Sequence, residues 1–168
     1  MVGLKTVVVI LCVLVGGSIL GSAQVQWVPN AADGKVPKDA ILAGHEDKTQ
    51  LYVCRAELGD GGVHPGKTSG ELCIVGQKGN AEEKTKFEIA IARSYKWGHW
   101  NWDDAFIGGK KPGARGLVDL YVCRALIGEA VVPGKAFRYR PHAGHCFVPF
   151  EGSERDITND FELLRIER

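Results

Sequence analysis

Alternating apolar and polar positions run through most of the chain, and they favour β-strands. The clearest case is Leu-Tyr-Val-Cys-Arg-Ala at residues 51–56, whose aromatic and β-branched residues suit a pleated strand. Alternation places Tyr52 and Cys54 on one face of that strand and Val53 on the other. No long segment repeats apolar residues with a helical period, and the 22 glycines disfavour a helical bundle. The pattern predicts an all-β fold.

The chain repeats this pattern. The same six residues recur at 120–125, and each copy is followed by Pro-Gly-Lys, at 65–67 and 133–135. After each tripeptide comes a cysteine with a valine two positions later. Self-similarity over such a length is typical of tandem modules. We predict two pseudo-symmetric β-rich modules, residues 24–94 and 95–168, packed as one compact unit.

Each Pro-Gly pair predicts a tight corner. Pro65 supplies a φ of about −65°, and Gly66 supplies the positive φ that a type II turn requires. Pro133 and Gly134 repeat the pair in the second module. Each module is therefore expected to contain a hairpin with a rigid Pro-Gly corner.

Residues 1–23 have the organisation of a secretory signal peptide. Lys5 precedes an apolar stretch that is short for a membrane span, and small residues follow it up to Ala23. The alternative is an uncleaved anchor helix. We predict a secreted, extracellular protein without a membrane span. Beyond Lys5 the basic and acidic residues are equal in number, so nothing indicates a nucleic-acid partner.

Four of the five cysteines lie beyond Cys12, and an even set in a secreted chain predicts disulfides. Two pairings treat the modules alike. One joins Cys54 to Cys73 and Cys123 to Cys146, so that each bond ties the arms of a hairpin within one module. The other joins Cys54 to Cys123 and Cys73 to Cys146, across the modules. The sequence leaves both open.

No catalytic motif is visible. The chain has no nucleophile elbow, zinc-protease motif, phosphate loop or dinucleotide-binding glycine pattern. The neighbouring acids Asp103 and Asp104 are typical of a solvated surface. We therefore expect a binding protein, with no catalytic residues and no cofactor.

The densest group of possible metal ligands is His142, His145 and Cys146. A cysteine in a disulfide cannot act as a thiolate ligand, and no second cluster of matching residues accompanies this one. No metal site is expected.

Aromatic residues gather at the start of the second module. Trp102 stands before Pro112 as Trp27 stands before Pro37, which favours packing inside the module. Trp97 and Trp100 have no such counterpart, so they are open to a core, interface or ligand role.

The most specific polar feature is the lysine after each Pro-Gly pair, Lys67 and Lys135. A lysine carries three donors, and a neighbouring acid would complete a donor and acceptor pair for the hydroxyls of a sugar. Its occurrence in both copies favours a function over an ordinary exposed lysine.

The repeated hexapeptide, the Pro-Gly-Lys and the later Phe-Glu-Leu-Leu at residues 161–164 resemble the DM-nine repeat family. The resemblance covers nearly all of residues 24–168. It implies a compact unit of two β-rich modules, and some members are soluble lectins of innate immunity that recognise mannose on microbial glycans. The module also precedes a pore-forming domain in natterin-like toxins, which is not implied here because the chain ends after the second module.

The resemblance also implies site residues. The family's site uses the lysine of Pro-Gly-Lys and an acid shortly after an Ala-Gly pair. These positions match Lys67 and Glu46, where Glu46 stands in place of the family's usual aspartate. In the second module Lys135 matches, and Asp119 is a looser candidate for the acid.

Our leading hypothesis is a secreted, mannose-type pattern-recognition lectin that binds glycans on microbial surfaces. Two modules, or a homodimer, would raise the avidity of weak sites. The alternative is a secreted salivary, venom or matrix component that binds protein and in which Glu46 and Lys67 are dispensable. A hydrolase would need a catalytic pair that the sequence does not offer.

Overall fold

The computed structural model describes residues 24–99, 101–138 and 144–167. The predicted signal segment with Cys12, together with Trp100 and His142, lies outside the described residues. Those that are described form fourteen β-strands, one 3₁₀ helix at Trp102–Asp104 and no α-helix. The prediction of an all-β fold is confirmed. Within the described ranges, no helix has the length and apolar character needed to cross a membrane.

Among the described residues, seven strands lie in each half of the chain. Those of the first half are β1 (Gln26–Pro29), β2 (Leu42–Glu46), β3 (Thr49–Glu57), β4 (Val63–Thr68), β5 (Cys73–Gln77), β6 (Asn80–Lys84) and β7 (Glu88–Ile91). Those of the second half are β8 (Tyr95–Gly98), β9 (Ile107–Gly113), β10 (Gly116–Ile127), β11 (Ala130–Ala136), β12 (Cys146–Phe150), β13 (Ser153–Ile157) and β14 (Phe161–Ile166).

Eight of the strands close into a barrel through antiparallel pairs. The closed order is β4, β5, β6, β13, β12, β11, β10 and β9, with β9 returning to β4. β2 joins β11 to β3, which itself pairs with β4. β7 and β1 extend outward from β3, and β14 and β8 extend from β10.

The strands of the two halves are therefore interleaved. His45 of β2 pairs with Val131 of β11, and Lys110 of β9 pairs with Val63 of β4. Two glycines allow these contacts, because a Cβ on Gly44 or on Gly109 would lie 2.0 Å from the carbonyl oxygen of the opposing valine. The boundary between residues 94 and 95 falls in the connection between β7 and β8 and stays a prediction.

Both faces of the repeated hexapeptide strand are buried, which explains its nearly continuous apolar run. Cys54 packs in a cluster of the first half, and Cys123 packs in a cluster of the second half. Their neighbours Val53 and Val122 point the other way and meet in a central cluster that contains residues of both halves. The predicted alternation along these strands is confirmed, and the central cluster joins the halves through apolar packing.

The disulfides follow the first of the two pairings. Cys54 is bonded to Cys73 and Cys123 to Cys146, with Cα–Cα distances of 5.9 and 6.0 Å. The expectation that each bond ties the arms of one hairpin is wrong, since Cys54 lies on β3 and Cys73 on β5, with β4 paired to both strands.

The predicted Pro-Gly corner is also wrong. Pro65 and Gly66 lie inside β4, in register with Arg55 and Cys54. The glycine is required by space, because a Cβ on Gly66 would lie 2.2 Å from the carbonyl oxygen of Ile74. It is the close approach of β5, and not a positive φ, that selects glycine here. Gly134 repeats the situation, because a Cβ added there would lie 2.1 Å from the carbonyl oxygen of Phe147.

Candidate functional site

Glu46 and Lys67 are brought together by β2 and β4, the two strands that flank β3. Glu46 is the last residue of β2, before a two-residue turn in which Asp47 has a φ of 49°. Lys67 lies on β4 opposite Val53, and its side chain is only 6% exposed, against 31% for Glu46. Its Nζ donates a hydrogen bond to Oε1 of Glu46. The pair predicted from the resemblance therefore exists as a partly buried ion pair.

A cavity of about 170 Å³ opens beside this lysine, and we call it the Lys67 cavity. Its walls come from the hairpins β5–β6 and β12–β13, so both halves contribute. The lining residues are Lys67, Ile74, Ala81, Glu83, Pro149, Phe150, Glu151 and Gly152. Nζ of Lys67 lies 5.8 Å from the centre of the Phe150 ring. The arrangement combines an ammonium donor, carboxylate acceptors and an apolar ring.

Lys135 occupies a corresponding place on β11 but has a different acid partner. Its side chain is 5% exposed, and its Nζ lies 2.8 Å from Oε1 of Glu154 and donates to the carbonyl oxygen of Gly76. Asp119 lies elsewhere on β10, paired in register with Lys110, whose Nζ is 3.1 Å from its Oδ1. The structure therefore does not bring Asp119 to Lys135.

His64 and Asp60, which the sequence reasoning missed as site residues, complete this second arrangement. His64 is 1% exposed, with its Nε2 3.1 Å from Oδ2 of Asp60 and its Nδ1 3.4 Å from Nζ of Lys135. With Nε2 as donor to the carboxylate, Nδ1 is left to accept from the ammonium. No spacing signal marks these contacts, because His64 and Lys135 are far apart in the chain.

The charge states follow from burial and from neighbouring charges. Burial, together with the positive charge of Lys135, lowers the pKa of His64 to about 4 against the opposing effect of Asp60. His64 is therefore neutral at pH 7. Burial also lowers the pKa of Lys135, and the carboxylate of Glu154 opposes that shift.

These groups line a second cavity of about 230 Å³, which we call the Lys135 cavity. The lining residues are Asp60, His64, Gln77, Lys78, Lys111, Lys135, Phe137, Phe147 and Glu154. The lysine Nζ of Lys111 lies 4.8 Å from the centre of the Phe137 ring, within the range of a cation–π contact. Like the Lys67 cavity, it takes walls from both halves of the chain.

The tryptophans have structural contacts. Trp102 packs against the cluster of the second half and is partly buried, with its ring 5.2 Å from that of Tyr121. Trp97 donates from Nε1 to the carbonyl oxygen of Leu42 and stacks under Arg124, whose guanidinium carbon is 4.7 Å from the ring centre.

The expectation that Trp97 has no counterpart in the first half is wrong. Trp27 lies under Arg55 at 4.2 Å, and Arg55 is paired with Glu88. In the second half Arg124, which covers Trp97, is paired with Glu162 in the same way. The counterpart of Trp27 is thus Trp97 and not Trp102, because the edge strands β1 and β8 present these rings to matching arginines.

The histidine segment 142–146 is not arranged as a metal centre in its described part. Cys146 is in a disulfide, and Nδ1 of His145 lies 2.8 Å from Oδ1 of Asp156. Among the residues that the structure describes, no group of three histidine, cysteine or acidic side chains could hold a metal ion.

Comparison with known proteins identifies a shared fold and no family. No protein-family profile matches the chain, and no curated protein matches it. The fold is similar to that of the nematode sperm cell motility protein MFP2B, with a TM-score of 0.58 and 11% sequence identity. The match covers 87% of this chain and 47% of that protein, so the chain spans about half of its length. At this identity the likeness concerns the fold alone.

Proposed function

We propose that this chain is a secreted, mannose-type carbohydrate-binding protein that acts as a pattern-recognition lectin of innate immunity. The observation that carries the proposal is the Glu46 and Lys67 pair beside the Lys67 cavity. A sugar hydroxyl both donates and accepts hydrogen bonds. It can therefore donate to the carboxylate of Glu46 while it accepts from the ammonium of Lys67.

The dimensions of the cavity support a small ligand. About 170 Å³ is below the roughly 300–1,000 Å³ that hold drug-sized molecules, which suits one sugar residue at the end of a glycan. The ring of Phe150 offers an apolar face beside the polar pair. Weak binding at one cavity gains avidity from the second cavity, or from a homodimer, on a surface with many glycans.

We further propose that the chain consists of two pseudo-symmetric modules of the DM-nine type. The matched contacts support this proposal. The hexapeptide strands β3 and β10 pair with the Pro-Gly-Lys strands β4 and β11, each half contains its own disulfide, and each has an arginine stacked on a tryptophan. Secretion is supported by the signal-like start and by the two disulfides, which are typical of oxidising compartments.

The test is a glycan titration with Glu46→Gln. Glutamine keeps the size of the side chain but lacks its charge, and a hydrogen bond to a charged group contributes about 1.5–3 kcal/mol, so affinity for mannan or a methyl mannoside should fall about tenfold or more. Glu82→Gln is the matched control, because Glu82 is also ion-paired with a lysine, Lys84, and is 37% exposed. Binding that is equal in both variants would show that Glu46 is not part of the site.

The alternative, a protein-binding secreted component, is favoured by one observation. A groove of about 440 Å³ is lined by Leu42, Leu126, Val131 and Phe161 among other residues. Leu42 is 39% and Leu126 51% exposed, and exposed apolar surface can mark a protein contact. This function predicts that Glu46→Gln leaves binding of the partner unchanged and that the protein binds no glycan on an array.

A further inference from the structure

The two cavities differ in charge although each is built around a buried lysine. The charged lining residues of the Lys67 cavity are Lys67, Glu83 and Glu151, and the lysine is paired with Glu46 beside the cavity. Acids therefore outnumber bases there. In the Lys135 cavity the bases outnumber the acids. Its charged lining residues are Lys78, Lys111, Lys135, Asp60 and Glu154.

Both acids of the Lys135 cavity already have partners. The carboxylate of Glu154 is paired with Lys135, 2.8 Å away. Asp60 accepts from the backbone N–H of Gly62 at 2.9 Å and contacts His64. Within the described residues no carboxylate lies within ion-pair distance of Lys78 or Lys111. These two ammonium groups are therefore the uncompensated charges of the cavity.

The position of Lys111 indicates that its charge acts inside the cavity. It lies on the wall with its Nζ over the ring of Phe137. Its positive charge contributes to the lowered pKa of His64, although burial and Lys135 have larger effects. It also contributes to the lowered pKa of Lys135, where burial has the largest effect. Lys78 stands at the exposed turn between β5 and β6. One lysine is thus at the wall and the other at the rim.

Lys111 occupies the strand position that Glu46, the acid beside the Lys67 cavity, occupies in the first half. Glu46 lies two residues after Gly44, which touches the strand of Val131, and Lys111 lies two residues after Gly109, which touches the strand of Val63. The strand positions correspond, but the charge is reversed. A ligand selected by a carboxylate at one position is disfavoured by an ammonium at the other.

We propose that the Lys135 cavity binds the anionic group of an acidic carbohydrate, a carboxylate or a phosphate ester, while the Lys67 cavity takes neutral sugar. This inference rests on the proposed function. An anion between Lys78 and Lys111 accepts charge-assisted hydrogen bonds, which are stronger than those of a neutral hydroxyl. The rings of Phe137 and Phe147 also line this cavity and give it an apolar wall.

Calorimetric titration of the secreted protein tests this with methyl mannoside, mannose-6-phosphate and methyl glucuronide. We expect the phosphate or the glucuronide to bind about tenfold more tightly than the neutral sugar, and less tightly as salt shortens the Debye length. Lys111→Glu should reduce this anionic binding about tenfold or more, and Lys111→Gln by a smaller factor. Neutral binding should be unchanged in both variants.

Lys110→Gln is the control, because Lys110 directly precedes Lys111 on the same strand and is paired with Asp119 away from the cavity. Melting temperatures of the variants check their folding. Binding of only one of the two anions identifies which group the cavity recognises. If the neutral sugar binds and neither anion does, this inference is overturned and the proposed function stands. Anionic binding that is equal in Lys111→Glu and Lys110→Gln would also overturn it, and failure of all three sugars would overturn both proposals.

Discussion

At the scale of the residue, buried His64 makes the stability of the fold depend on pH. Its pKa is about 4 in the folded protein and 6.5 as a free group, so the unfolded chain binds the extra proton between these values. Stability is therefore fully present above about pH 6.5, falls as the pH drops towards 4, and loses nothing more from this group below that. We expect a loss of roughly 2 kcal/mol between pH 7 and pH 4.5.

Urea unfolding of the wild type and of His64→Gln at the two pH values measures this effect. Carboxylates titrate in both proteins, so the difference between their two changes in unfolding free energy with pH isolates the histidine. Equal pH dependence in both would contradict a buried neutral His64.

The residues of the Lys67 site were accessible from the sequence, and those of the Lys135 site were not. Glu46 and Lys67 match a motif, and their strands flank the hexapeptide strand β3. Glu154 reaches Lys135 from a different hairpin. Its strand β13 is paired with β6 of the other half, where Ser153 lies opposite Asn80. Nothing local to Glu154 marks that contact, which only the closed barrel creates.

At the scale of the element, the glycine in each Pro-Gly-Lys strand is a spacing requirement. Gly66→Ala places a methyl group 2.2 Å from the oxygen of Ile74, so β4 and β5 must separate. We expect a loss of about 3 kcal/mol in the free energy of unfolding, the upper part of the usual range for overpacking. Chemical denaturation measures it.

Gly59→Ala is the matched control for that substitution. Gly59 lies in a loop with no atom within 4 Å of its added Cβ and no positive φ, so its stability should change by less than about 0.5 kcal/mol. If the two variants lose the same amount, the close approach of β5 is not what selects glycine.

The strands themselves could be predicted, but the role of Pro-Gly could not. The hexapeptide's alternation identifies β3 and β10 correctly, since both faces carry the apolar residues that a strand buries. Pro-Gly has the same local chemistry in a turn and in a crowded strand. Only the position of Ile74 distinguishes the two, and that position depends on the path of β5.

At the scale of the whole molecule, the halves are expected to depend on each other for folding. Residues 24–94 alone lack β11 and β9, which pair with β2 and β4, and lose Val122 and Leu164 from the central cluster. We expect this fragment to give poorly dispersed amide resonances and no cooperative melting, whereas the full chain melts in one transition. A fragment that melts cooperatively would show that the first module folds independently.

The repeat predicted two halves but not their interleaving. The pairs His45 with Val131 and Val63 with Lys110 join residues far apart in the chain, and such contacts leave no periodic signal. The glycines at 44 and 109 are the trace of these contacts in the sequence, and their meaning depends on which strand lies opposite.

The hairpin β12–β13 belongs to both cavities. Phe147 and Glu154 line the Lys135 cavity, while Phe150 and Glu151 of the same hairpin line the Lys67 cavity. A ligand that displaces this hairpin from one side alters the wall on the other side. Thermodynamic reciprocity then requires each ligand to change the affinity for the second by the same factor. The chain would thus respond to a combination of sugars, and its response to a mixed glycan would differ from the sum of its responses to the parts.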